Sequence, residues 1–463
     1  MRGRLFTVLL SLLSLLSFSL TAQQSDDSIM MSRIADEILV NGKAYKNLQS
    51  LTKDVGARLA GSAAMYKAEA WGKKALEEAG AEEVWLQECM VPHWERGANE
   101  EAYYTTENNT KKQSLDILAL GNSLGSGSKG ITAPAIIIHS FDELEQRKDE
   151  IKGKIVFYNY PFDSKLVKTF RAYSDAVRYR SQGPSRAAKY GALAVLVRSM
   201  SHAADNHPHT GGMSYNDSFP KIPAAAVGLR DADKLANALS KEEVKVFLRT
   251  NARMLPDTVG HNVIGEIKGS EFPDQYITIG GHLDSWDVGE GAHDDGAGCV
   301  QSIEILKAFK AIGYRPKRTI RIVLFANEEN GLRGGNKYAE EAKSKGEKHY
   351  FALESDAGGF TPRGFGFTID ADKLQKIRTW LPLFVPYGVY EFNAGGGGAD
   401  IGPLQRLLGT PIAGLQPDSQ RYFDIHHARS DVFEAVSKRE LELGAVNMAA
   451  LIYLIDKYGW EKL

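Results

Sequence analysis

The spacing of apolar and polar residues changes character along the chain. Over residues 30–80 it is helical: Met30, Ile34 and Ile38 recur every four positions, and 63–80 is rich in Ala, Lys and Glu. Between these stretches the Gly-punctuated GARLAGS (56–62) reads as a loop, and EVWLQECMVP (83–92) alternates like a strand. Near 115 the pattern shifts. The Gly- and Ser-rich SLGSGSKGITAP (123–134) marks a loop at a domain edge, and the short β-rich runs AIIIHS, GKIVFYNY and ALAVLVRS follow, separated by helical stretches. This pattern continues to KVFLRTNA (245–252), so residues 115–253 are expected to form a separate inserted domain.

From 254 onward strands alternate with helices. YITIGGHL (276–283), TIRIVLFAN (319–327) and HYFALES (349–355) are continuous apolar runs, the signature of strands covered on both faces. Val300, Ile303, Leu306 and Phe309, with Ile305 and Ile312, have helical spacing between the first two. The expected fold class is therefore α/β, with a mixed but mainly parallel sheet flanked by helices. Its catalytic domain would be built from 23–114 and 254–463 and interrupted by the insert.

The first residues change the cellular picture. MRGRLFTVLLSLLSLLSFSLTAQQ has Arg2 and Arg4, an apolar run over 6–20 and the small-residue exit Thr21 and Ala22. Residues 1–22 thus read as a signal peptide, and the run is shorter than the roughly 20 residues needed to span a bilayer. An exported protein, periplasmic or secreted, with no stable membrane anchor after processing, is expected. Net charge is 56 − 58 = −2, which gives no sign of a nucleic-acid partner. With only Cys89 and Cys299 present, a Cys-rich zinc site is excluded, so any metal must be held by His and carboxylates.

Such groups collect where the apolar runs end. GGHLDSWD brings His282 and Asp284, and GEGAHDDGAG brings Asp294 and Asp295. ANEENG brings Glu328 and Glu329, ESDAGG brings Glu354 and Asp356, and RYFDIHHARSD brings His426, His427 and Asp431. Taken alone, an EE pair reads as solvated surface, a DD in a Gly-rich loop as a turn and a lone His as a satisfied polar residue. The joint pattern differs, because in open α/β sheets ligands gather beyond the carboxyl ends of the strands. Carboxylates piled together there need compensating cations. His and carboxylate ligands suit zinc, with manganese or cobalt as substitutes. A close metal pair would polarise a carbonyl and generate a hydroxide nucleophile, with a free glutamate handling the proton.

At GHLDSWDVGEGAHDDGAG, RPKRTIRIVLFANEENG and ESDAGGF the chain resembles the co-catalytic zinc aminopeptidases and glutamate carboxypeptidases. The resemblance covers most of the mature chain and extends into the insert at PHTGG and PKIPAAAV. It implies two zinc ions per chain. His282 and Asp356 would bind one, Glu329 and His427 the other, and Asp294 would bridge both across a cis peptide to Asp295. Glu328 would be the general base and Asp284 would orient the His282 ring. His427 is preferred to His426 as ligand because family ligand histidines stand four residues before an acidic residue, here Asp431. His426 would then face the oxyanion. Val432 and Ala428 depart from the family pattern beside these positions. The insert resembles a protease-associated domain.

The function implied is an exported di-zinc exopeptidase acting on dipeptides or short peptides, with a homodimer as the expected assembly. The alternatives are a catalytically inactive receptor-like binding protein, which would have lost ligands, and a single-zinc glutaminyl cyclase, which would lack the insert. The stretch SHAADNHPHTGG, with His202, His207 and His209, reads as a polar loop rather than a further metal site.

Overall fold

The computed structural model describes residues 25–460. The expected signal peptide lies outside the described residues. Two sheets organise the chain, each with eight strands among the described residues. The larger runs in the spatial order Glu83–Glu95, Arg253–Ile267, Arg318–Phe325, Phe272–His282, Lys348–Glu354, Ile412–Pro417, Pro362–Thr368 and Glu391–Ala394. Its central four strands are parallel, and antiparallel pairs flank them. This is the mixed, mainly parallel α/β sheet that the apolar runs predicted.

Both faces of the sheet are covered, for the reason visible in strand Arg318–Phe325, where every residue is buried. Ile320, Ile322 and Leu324 point into one core with Ile303, Leu306, Phe309, Leu451 and Ile452. Val323 and Phe325 point to the opposite face, against Tyr338, Ala339 and Leu404. The first core is closed by helices Ala297–Ala311 and Lys438–Tyr458 and by helix Asp26–Asn41. In the last of these the buried stripe is Met31, Ile34, Ala35 and Ile38. The expected Ile34 and Ile38 lie in this stripe, with Met31 and Ala35 beside them, and Met30 is partly buried at its edge.

The second sheet contains Gln113–Leu115, Glu101–Thr106, Val244–Arg249, Ile131–Ile138, Ile155–Tyr158, Ala194–Arg198, Ala224–Val227 and Ile117–Ala119 in that spatial order. It has its own cores around Val156, Tyr158 and Val195 and around Phe157, Leu196 and Val246. The polar strand Glu101–Thr106 belongs to it, so this unit begins ahead of the boundary read at 115. The Gly/Ser-rich stretch that suggested that boundary is an internal loop. Chain crossings between the two units fall near Gly97 and Ala252, and Arg96 ties the junction by donating to both oxygens of Asp287 at 2.9 and 2.6 Å.

Candidate metal centre

Each central strand of the larger sheet delivers its chemistry at its carboxyl end. His282 closes strand Phe272–His282, and Glu328 and Glu329 follow Arg318–Phe325. Asp356 follows Lys348–Glu354, and His426 and His427 follow Ile412–Pro417 after a short helix. Asp294 stands just before helix Ala297–Ala311, and its peptide bond to Asp295 is cis. That helix starts hard against the neighbouring strand end: a Cβ on Gly298 would lie 1.9 Å from the Ser355 carbonyl oxygen, so only glycine fits.

Asp294 sits at the centre. Its Oδ1 is 3.2 Å from His282 Nε2, and that nitrogen is 3.4 Å from Asp356 Oδ1. Its Oδ2 is 3.2 Å from His427 Nε2, which is 3.1 Å from Glu329 Oε2. The two oxygens of one carboxylate thus face two separate His–carboxylate pairs. His282 Nε2, Asp294 Oδ2 and Glu329 Oε1 are buried and have no hydrogen-bond partner among the described residues. Buried acceptors without donors are what a bound cation satisfies, so the residues present fit a pair of divalent ions. Overlapping trios here, one containing His426 and one Asp295, hold ligand atoms within 4.8 Å of one another.

Asp295 already uses its oxygens, accepting the His282 N–H at 3.1 Å and the Gly298 N–H at 2.9 Å. Its role is to join the strand end to the helix start. His426 is stacked on His427 with ring centroids 3.5 Å apart, and its Nε2 reaches to 3.6 Å from Asp294 Oδ2. Burial, and the adjacent His427, hold the His426 ring well below the ordinary histidine value, so it is neutral.

The electrostatics express the crowding of negative charge. Burial pushes the Glu328 carboxyl well above its usual range, and Asp356, Glu329 and Asp294 add to the effect. Burial and the charge of Asp294 raise Glu329 to about 7. Burial acts to lower His427, but Glu329 and Asp294 outweigh it and bring the ring to about 10. Without cations these groups hold protons that metal ions displace.

Supporting contacts differ in part from the sequence expectation. The His282 ring is oriented through Nδ1 by the backbone carbonyl of Asp284 at 3.0 Å, while the Asp284 carboxylate stands 3.8 Å from that nitrogen. The carboxylate instead accepts the backbone N–H groups of Glu328 and Glu329 at 3.0 and 3.4 Å. The tight strand-to-loop corner brings the next-but-one carbonyl to the ring and leaves the side chain for the neighbouring strand end. Asp431 accepts the N–H groups of His293 and Asp294 at 2.8 and 3.1 Å, fixing the loop that carries the shared carboxylate. Glu354 turns away and accepts the Ile401 N–H at 2.9 Å. Gly398, in the Gly-rich stretch NAGGGGAD (393–400), packs against Glu354.

Sequence reading missed two positioning residues. Arg58, within GARLAGS, is fully buried and donates to the carbonyls of Leu283, Glu290 and Gly291 at 2.5, 2.7 and 2.9 Å, bracing both ends of the loop after His282. An arginine inside a Gly-rich loop was the available signal. His209 holds the His426 carbonyl through Nδ1 at 2.7 Å, and Thr210 exchanges backbone contacts with His427: its N–H donates to the His427 carbonyl at 3.0 Å and its carbonyl faces Nδ1 at 3.2 Å. These bonds tie the second unit to the site and leave His427 Nε2 free. His427 itself has φ +60°, in the sparsely populated left-handed region. GNSLG (121–125) has the G-x-S-x-G spacing of a nucleophile elbow. Ser123 is wholly buried and the segment leads into a loop rather than a helix, so it lacks the exposed oxygen and turn such an elbow needs. Cys89 and Cys299 are both buried free thiols.

The fold and site define a peptidase class. The sequence profile of Peptidase family M28 matches residues 262–452, and the chain belongs to this family. Among its relatives, "Carboxypeptidase Q" of Homo sapiens is 38% identical over 90% of this chain and 87% of its own length. The Mus musculus protein of that name is 37% identical over 89% and 85%. The solved Peptidase M28 precursor from Shewanella amazonensis SB2B superposes with a TM-score of 0.87 at 31% identity, covering 93% of this chain and 96% of that one. A zinc aminopeptidase from Bacillus subtilis shares the fold, with a TM-score of 0.63 at 20% identity over 89% and 94%. The chain is thus an enzyme of the peptidase class, as its sequence led us to expect. No helix among the described residues is long and apolar enough to cross a membrane.

Proposed function

We propose that the chain is an exported di-zinc exopeptidase that releases a terminal residue from dipeptides or short peptides. The observation that carries this reading is the division of Asp294, one oxygen toward His282 and Asp356 and the other toward His427 and Glu329. His282 and Asp356 on one side, His427 and Glu329 on the other, and Asp294 between them would hold two zinc ions, which would supply Lewis acidity to the scissile carbonyl and acidify the attacking water.

The chain's own residues do the rest. Glu328 lines a cavity of about 410 Å³ together with Glu329, Asp356 and His426, and its backbone is fixed by Asp284. Its carboxylate takes the proton of the attacking water and passes it to the leaving amine. His426, neutral and pinned between His427 and Tyr173, directs Nε2 into the cleft, where it stabilises the negative oxygen of the tetrahedral state. The unit of 101–249, which resembles a protease-associated domain, supplies a wall of the same cavity through Phe170, Tyr173 and Met213. Residues 1–22 act as the export signal, placing the enzyme in the periplasm or outside the cell, and the processed chain pairs as a homodimer.

The experiment is hydrolysis of a dipeptide panel with free and blocked ends, before and after metal removal by a chelator. Turnover that vanishes on chelation and returns with zinc supports the reading. Turnover indifferent to chelation, or no hydrolysis of any peptide, contradicts it. The blocked ends report which terminus is read.

A further inference from the structure

Helix Thr169–Ser181 of the second unit presents two aromatic residues to the cleft. Phe170 is 39% exposed, stacks on Tyr422 with centroids 5.4 Å apart and meets Phe423 edge-on at 4.9 Å. One turn on, Tyr173 stacks on Phe423 at 4.7 Å and meets the His426 ring at 5.1 Å. Tyr422 and Phe423 are buried, so the layer has a rigid backing. All four rings line the cavity that Glu328 and Asp356 also line. A single exposed phenyl on a surface needs no explanation. A phenyl that continues a backed aromatic wall down to the reacting groups is a surface awaiting a partner.

The positive charge nearest this wall is held by hydrogen bonds behind Tyr173. Arg180 on the same helix is buried, donates to the Tyr173 hydroxyl at 2.7 Å and to the Thr210 carbonyl at 3.2 Å, and lies over the Tyr173 ring at 5.5 Å. It therefore braces the tyrosine, and its Nη1 also lies 3.4 Å from His427 Nδ1. Aromatic rings prefer to add to such a layer by offset or edge contacts.

We propose that Phe170 and Tyr173 form the side-chain subsite of the cleft, and that the enzyme favours peptides carrying an aromatic side chain beside the scissile bond. The inference rests on the exopeptidase reading above and adds a substrate class to it.

The test uses the zinc-loaded enzyme and free dipeptides with Phe, Leu, Ala, Glu or Lys at each position in turn and Ala at the other. The expected kcat/KM for the better Phe dipeptide exceeds that for Ala-Ala by about tenfold or more, with Leu between them. In Phe170→Ala that ratio falls to within about threefold of unity, and in Phe170→Leu it takes an intermediate value. Zinc content and circular dichroism establish that the variants are folded and loaded. Preference for Glu, with Arg180 reading the side chain, overturns the inference. So does an equal loss on every substrate in Phe170→Ala, or a flat wild-type profile, and these outcomes leave the exopeptidase reading standing. Failure to hydrolyse any dipeptide overturns both.

Discussion

The carboxylate of Asp284 accepts the backbone N–H of Glu328 at 3.0 Å, joining the end of one parallel strand to the turn that closes its neighbour. The same carboxylate accepts the Glu329 N–H at 3.4 Å, so one buried acid sets both the proposed base and a proposed ligand. In Asp284→Asn the amide oxygen can serve only one of the two donors well. We expect kcat to fall by about 10–100-fold with a smaller change in KM, since residues supporting ligands contribute on that scale. Steady-state kinetics beside metal analysis checks this. Unchanged kcat would remove Asp284 from the machinery.

Glu328 and Glu329 are adjacent in sequence but face different partners, and single substitutions separate their roles. Glu328→Gln should keep its zinc and lose about 10²–10⁴-fold in kcat, the range for a positioned acid–base group. Glu329→Gln should lose zinc at the His427 side. Metal content by mass spectrometry, measured with turnover, distinguishes the two. Full activity in Glu328→Gln would refute its assignment as base.

The Asp431 carboxylate accepts the His293 and Asp294 N–H groups. Asp431→Ala leaves those two buried donors without partners, at a typical cost of about 1–3 kcal/mol each. Lower zinc affinity and a lower melting temperature are expected together. A variant with wild-type zinc affinity would show that the Asp294 loop holds its shape without this anchor.

Away from the site, Glu347 contacts Arg321 and His349, each at 3.0 Å. Burial raises its pKa, but the His349 hydrogen bond and the Arg321 charge outweigh it and bring it from 4.5 to about 2. Burial keeps His349 below its ordinary value, so the neutral ring donates Nε2–H while Nδ1 faces the Thr278 hydroxyl at 2.9 Å. A carboxylate whose pKa is depressed on folding stabilises the fold above its unfolded value, and that contribution fades as pH falls from 4.5 toward 2. Glu347→Gln should therefore cost about 1–3 kcal/mol at pH 7 and clearly less near pH 3. Urea unfolding of both proteins at the two pH values gives the comparison. A difference that does not shrink on acidification would contradict the assignment.

The parts of the site legible in sequence share one property. His282, Glu328, Glu329 and Asp356 follow directly on apolar runs, so knowing that a strand ends there locates the side chain at the sheet's carboxyl edge. Arg58 and His209 were hard to read because their partners lie more than 200 positions away in the chain: an arginine inside a Gly-rich loop hints at a structural role but does not name its partners. The Asp284 contact was half legible: adjacency to His282 suggested a bond to the ring, but the corner geometry gives that bond to the backbone carbonyl. The boundary near 115 was misplaced for a related reason. Strand Glu101–Thr106 is too polar to read as part of a domain, and its pairing with Val244–Arg249 spans about the whole insert.

The central claim is that one carboxylate, Asp294, is shared by two metal ions. Anomalous scattering at the zinc edge from crystals of the zinc-loaded protein tests it most directly. The account predicts two peaks flanking the Asp294 carboxylate, one beside His282 and Asp356 and the other beside His427 and Glu329. A single peak, or peaks remote from Asp294, would contradict it.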